Sequence, residues 1–221
     1  MDIDYFLKNR TKFIRYFYEQ ASAPFIGIIS AIEKEEEPFV PPYSEDPEPP
    51  FLEEWLEAHT GIETVGHTAL SMLSSSLQLF LKEWVYRLKT NHGMEFQISF
   101  KKGWLNGYKK ILEEIEIPMN ECPADLEIIE QVALARNRVQ HPEEITNLNV
   151  RHSESDLKKY PRPFFAQDHE IELAGTDEEG ALSWWLKPSV ATTKEKVFLA
   201  VREVESLCVW LEEEYWKVRN A

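Results

Sequence analysis

Apolar positions along this chain recur mostly at intervals of three and four, the period of an amphipathic helix. Phe6, Phe13, Ile14, Phe17 and Tyr18 build one such stripe and predict helix from residue 2 to about 37. Pro24 predicts the start of a second helical piece, because proline suits a first turn and not an interior. Phe25, Ile28, Ile29 and Ile32 continue that piece. The stretch PFVPPYSEDPEPP, residues 38–50, is proline-rich and acidic and reads as a surface loop or semi-rigid linker.

The widest apolar face follows, with Leu70, Leu73, Leu77, Phe80, Leu81, Trp84, Val85 and Leu88. Gly61 and Gly66 predict a break that separates a short helix, Phe51 to His59, from this long one. A further helix covers Gly103 to Glu116, with Trp104, Leu105, Tyr108, Ile111, Leu112 and Ile115 on one side, and Pro118 stops it. Another runs from about Ala124 to His141, where Pro142 ends it. Thr192 with Glu195 matches a capping box opening the last helix, to about Val218.

Residues 143–190 break the pattern. Phe164 to Ala174 and Ala181 to Leu186 read as extended, with a polar turn over Gly175 to Gly180 between them. The expected fold is therefore mainly all-α: one domain over 1–221, an antiparallel helical bundle with a small β-hairpin inserted around 160–188.

Composition narrows the functional classes. Eight glycines disfavour an all-β fold with many tight turns. No apolar run is long enough to span a bilayer, and no export signal is visible, so a cytoplasmic protein without a membrane anchor is expected. Cys122 and Cys208 lack metal-ligand spacing, which argues against a zinc site. His59 and His67 also lack such spacing and read as structural. A net charge of −15 excludes nucleic-acid binding by bulk attraction. Any phosphate-binding role needs a local positive patch.

Such a patch is the segment Arg136-Asn137-Arg138-Val139-Gln140-His141. On a helical wheel, Ile128, Val132, Ala135 and Val139 form one apolar face. Leu126, Ala133 and Leu134 fall nearly opposite, with Asn137 and His141. A helix apolar on two faces must be covered on both. The second cover is either another helix of this chain or a partner subunit. Asn137 and His141, four apart, share one helix face. Arg136 sits round the edge. Arginine braces phosphate oxygens in a bidentate fork, and histidine takes or gives a proton near neutral pH. The set suits a phosphodiester. Glu143 and Glu144 form no ligand pattern, so no metal or other cofactor is invoked.

At these residues the chain resembles the HEPN superfamily of helical-bundle proteins. Its signature is an arginine, usually followed by a polar residue, then a histidine after four to six intervening residues near a helix end. Arg136, Asn137 and His141 match it. Arg87 with His92 and Arg162 with His169 fit the bare spacing, but only Arg136 is followed directly by asparagine. The serine-rich helix ALSMLSSSLQLFLKEWVYRL also looks like the helix preceding the motif in that family, so the resemblance covers residues 65–141 and the last helix. It implies a metal-independent endoribonuclease that leaves a 2′,3′-cyclic phosphate, in a toxin–antitoxin, phage-defence or RNA-processing setting. It also implies a homodimer whose two motifs face one cleft. In members paired with a nucleotidyltransferase antitoxin, a tyrosine stands two residues after the histidine. Here that position is Glu143, so silencing through that tyrosine is not implied.

Two stretches interleave cations with aromatics, a mixture that stacks on bases while tracking phosphates. One is Lys101, Lys102, Trp104, Tyr108, Lys109 and Lys110, whose aromatics lie on an apolar stripe. The other is Lys158, Lys159, Tyr160, Arg162, Phe164 and Phe165. Lys158, Lys159, Tyr160 and Arg162, with Arg138, are the expected RNA contacts. The alternative class is a non-catalytic helical module that binds a partner protein, such as a cognate antitoxin or regulator, or a nucleotide.

Overall fold

A computed structural model describes residues 2–43, 48–97, 99–101, 103–141, 149–175 and 187–220. Among them are seven α-helices: α1 Ile3–Glu33, α2 Leu52–His92, α3 Trp104–Glu114, α4 Leu126–Gln140, α5 Glu154–Lys159, α6 Asp168–Gly175 and α7 Lys194–Asn220. One 3₁₀ turn, Met119–Glu121, links α3 to α4. The helical architecture expected from the periodicity holds.

Helices α1, α2, α4 and α7 form the bundle. α2 and α7 pack against each other and each packs against both α1 and α4, which leaves α1 and α4 on opposite edges. α1 runs antiparallel to α2, with Phe25 beside Gly61, and antiparallel to α7. There the Tyr18 hydroxyl donates to the Thr192 carbonyl at 3.2 Å and Thr11 meets Glu205. Burial pushes the Tyr18 hydroxyl up to about 12, with help from the Glu195 charge. α2 and α7 run parallel, and the Trp84 indole N–H donates to the Leu211 carbonyl at 2.9 Å. Trp84, Leu70, Leu73, Leu77, Leu81, Leu88 and Leu211 are fully buried. Each such leucine contributes about 1.5–3 kcal/mol of burial relative to exposure.

Several sequence expectations are corrected. Pro24 lies inside a continuous α1 rather than at a helix start. It sits on the exposed face, where water can serve the carbonyl left without its N–H partner. α2 runs unbroken through Gly61 and Gly66. A Cβ on Gly61 would stand 2.5 Å from the Phe25 ring, and one on Gly66 would stand 2.1 Å from the Thr192 hydroxyl. These glycines permit close approach and do not break the helix. On α1 the buried stripe is Ile3, Leu7, Ile14 and Tyr18, whereas Phe6 and Phe13 stand about half exposed. The last helix is capped one residue later than expected: the Lys196 N–H points at the Thr193 hydroxyl at 3.4 Å.

The hairpin is corrected as well. Among the described residues there is no strand: residues 168–174, expected to be extended, and Gly175, expected to open the turn, form the helix α6. Alternation in His169-Glu170-Ile171-Glu172-Leu173 mimics a strand, but acidic residues in the first turn favour a helix start. The second expected strand, Ala181 to Leu186, and residues 176–180 of its turn lie outside the described residues. What joins the segment's ends is one antiparallel bridge, Arg151 to Ser189. It is flanked by hydrogen bonds from the Val190 N–H to the Val150 carbonyl and from the His152 N–H to the Pro188 carbonyl.

Candidate active site

The site is built at the C-terminal end of α4. Asp125 caps the start of that helix, accepting from the Glu127 and Ile128 N–H groups. His141 ends it, leaving the helical conformation at φ −130° and ψ 66°. The His141 N–H still donates to the Asn137 carbonyl at 3.1 Å. Its imidazole is exposed, while Arg136 and Asn137 are half-buried. The Arg136 guanidinium donates to the Asn137 side-chain oxygen at 3.1 Å. Among the described residues, Arg136 has no carboxylate partner, and no side-chain hydrogen bond joins His141 to either residue. Arg136 and Asn137 are thus brought together, and His141 is held one turn away.

The other expected contacts divide sharply. The Arg138 guanidinium lies 3.2 Å from Asp156, whose side chain is only 9% exposed. Lys159 pairs with Glu130, which also accepts from Lys109 at 2.9 Å. Burial would raise the Glu130 carboxyl, but hydrogen bonds from Lys109 and Lys159 outweigh it and hold that carboxyl below its usual range. Tyr160 is half-buried, with the Lys159 ammonium 5.3 Å from its ring centre. Lys158 and Arg162 are exposed and unpaired among the described residues.

These pairs reveal what covers the second face of α4. Glu130, Leu134 and Arg138 stand four residues apart on one stripe. α5 docks along it through Lys159 at one end and Asp156 at the other. Ser153 and Asp156 form a reciprocal capping box that starts α5. The Phe164 N–H donates to the buried Gln131 side chain at 2.7 Å, continuing the cover. Ala133 is buried, and Leu126 and Leu134 are half-buried. Within this chain, α5 and Phe164 thus cover part of this face. Sequence reasoning missed Gln131 and Asp156, for which the capping box at Ser153 was the available signal, and it offered Glu130 as a partner of Arg136, whereas Glu130 pairs with Lys109 and Lys159.

Farther along the same segment, the His152 ring donates from Nε2 to the Phe165 carbonyl at 2.8 Å and is buried. Burial lowers its proton affinity below the ordinary histidine value. Among the described residues no cluster of His, Cys, Asp and Glu could hold a metal ion. Among them, too, no helix is long and apolar enough to cross a membrane. No protein-family model matches the chain, and no curated protein or solved structure does either.

Proposed function

We propose that this chain is a HEPN-like, metal-independent endoribonuclease. The supporting observation is the state of the cations on α4. Arg138 is neutralised by a buried carboxylate, whereas Arg136, among the described residues, donates to an amide and meets no carboxylate, and His141 is exposed. In a chain of net charge −15, an arginine that pairs with no carboxylate among the described residues, on the same helix end as an exposed imidazole, suits an anionic substrate.

In this reading His141 draws the proton from a ribose 2′-hydroxyl. The 2′-oxygen attacks the adjacent phosphorus, and the bond to the 5′-oxygen breaks. The leaving oxygen takes a proton from a second imidazole, the His141 of a facing copy in a homodimer. Arg136 braces the charge building on the phosphate oxygens, and Asn137 orients the guanidinium. Products are a 2′,3′-cyclic phosphate and a 5′-hydroxyl. The expected setting is a toxin, defence or RNA-processing effector held in check by a cognate protein. The test is cleavage of single-stranded RNA in EDTA, with the ends identified by phosphatase and kinase treatment. Magnesium dependence or 5′-phosphate ends would overturn it.

A second reading, a non-catalytic module that binds a partner protein or a nucleotide, draws on a different observation. Arg138 and Lys159, two of the expected RNA contacts, are engaged by internal carboxylates.

A further inference from the structure

A groove lies far from the motif, on the edge of the bundle formed by α1 and α2. Its volume is about 580 Å³. Phe6 and Phe13 wall it from α1, and Thr68, Ser71 and Ser75 line it from α2. The walls are 52% and 54% exposed, and Tyr5, Tyr16 and Leu79 on the same two helices are exposed to a similar degree. Large half-exposed aromatics in contact with one another, such as Phe13 with Tyr16, mark an interaction surface rather than scattered surface residues.

Charge distinguishes this face further. The chain holds 39 Asp and Glu residues, yet none stands between Asp4 and Glu19 on α1 or between Glu63 and Glu83 on α2. These two stretches face each other across the groove. Lys8 and Arg15 are neutralised by Asp4 and Glu205. Arg10, which lines the groove, and its neighbour Lys12 have no ion pair or hydrogen bond among the described residues. The result is an apolar trough with unneutralised positive charge at its edge, in an otherwise acidic molecule.

We propose that this groove docks an amphipathic α-helix of a partner protein, with carboxylates flanking its apolar stripe. Shape argues for a helix. Thr68, Ser71 and Ser75 follow the three-four spacing of one helical row, and such small residues let a third helix settle between two others. Phe6 and Phe13, two turns apart, stand about 10 Å from each other along the axis. That spacing fits anchors at i, i+3 or i+4, and i+7 of a bound helix. Charge argues against the other occupants. A second copy placed by two-fold symmetry would set this cationic face against itself, with no carboxylate to pair. A nucleic-acid strand needs roughly one cation per phosphate engaged, and the groove offers Arg10 alone. The inference is independent of whether the chain cuts RNA.

The probe is a labelled amphipathic helical peptide of about 14 residues, long enough to span the groove. It is made in two forms, with glutamates or with lysines beside a leucine stripe, and followed by fluorescence anisotropy on the full chain. The glutamate form is expected to bind at least about tenfold more tightly. Arg10→Glu, an exposed change that leaves the core intact, should reverse that preference. Ser75→Trp should fill the trough and weaken the glutamate peptide by a similar factor, with circular dichroism confirming the fold. Equal binding of both peptides, or none, overturns the proposal. So does a dimer by light scattering that Ser75→Trp dissolves, or a single-stranded oligonucleotide that outcompetes the peptide and is itself lost in Arg10→Glu.

Discussion

Gly66 of α2 lies so close to Thr192 that a Cβ there would stand 2.1 Å from the hydroxyl and 2.6 Å from the carbonyl oxygen. The carbonyl belongs to backbone and cannot swing aside. Gly66→Ala is therefore expected to destabilise the fold by about 1–3 kcal/mol through overpacking, despite alanine's better helix propensity. On α1, a Cβ added to Gly27 would meet nothing within 4 Å, so Gly27→Ala should stabilise by about 0.5–1 kcal/mol. Urea midpoints of the two variants should move in opposite directions.

The pairs that dock α5 separate structure from substrate contact. Removing Arg138 leaves the buried Asp156 carboxylate, among the described residues, with the weaker Ser153 N–H at 3.3 Å. Arg138→Ala should cost about 1–3 kcal/mol of stability. Lys158→Ala and Arg162→Ala remove exposed cations that are unpaired among the described residues and should leave stability within about 0.5 kcal/mol. If RNA is bound, those two variants should lower its affinity without moving the melting temperature.

His152 gives a pH dependence of defined sign. Its folded-state proton affinity lies below the ordinary value of 6.5, with burial as the main cause. Below pH 6.5 the unfolded chain therefore takes up a proton that the folded chain refuses. Stability present above 6.5 should fall as pH drops through the window down to the folded value. Denaturation midpoints measured from about pH 7.5 down to about 5.5 should decline, and His152→Gln should flatten that decline. A flat wild-type profile would rule the effect out.

For the ribonuclease reading, His141→Ala should reduce cleavage by about 10²–10⁴-fold, the usual contribution of general acid–base transfer. His141 is exposed at a helix end, so the variant should retain the wild-type melting temperature. Arg136→Ala should lose a comparable amount, and DNA of the same sequence should survive. Wild-type rates in His141→Ala would favour the non-catalytic reading.

The long helices were legible because their stripes persist over many turns, and the Arg136-Asn137-x3-His141 spacing was legible because its residues follow one another at the end of α4 and on its C-terminal cap. What escaped depends on a neighbour. Gly61 and Gly66 signal a break by propensity, yet their meaning comes from Phe25 in another helix and Thr192 just ahead of one. Phe6 and Phe13 keep the core period, but the position of α2 decides that Ile14 is covered and they are not. Arg138 and Lys159 look like free cations until α5 sets Asp156 over α4 and α4 sets Glu130 under α5. The alternation around Glu170 and Glu172 carries both periods, and the helical one won.

α2 has a consequence for how the molecule comes apart. At 41 residues it is about 60 Å long, and α1, α3, α4 and α7 all lean on it. Cooperativity should follow from that shared backbone. A chain cut between Val65 and Leu88 would leave neither fragment with a closed interior. Unfolding should proceed in one transition, with different spectroscopic probes coinciding. The slowest-exchanging amide protons should lie along the buried middle of α2, while those of α5 and the end of α4 open locally and exchange first.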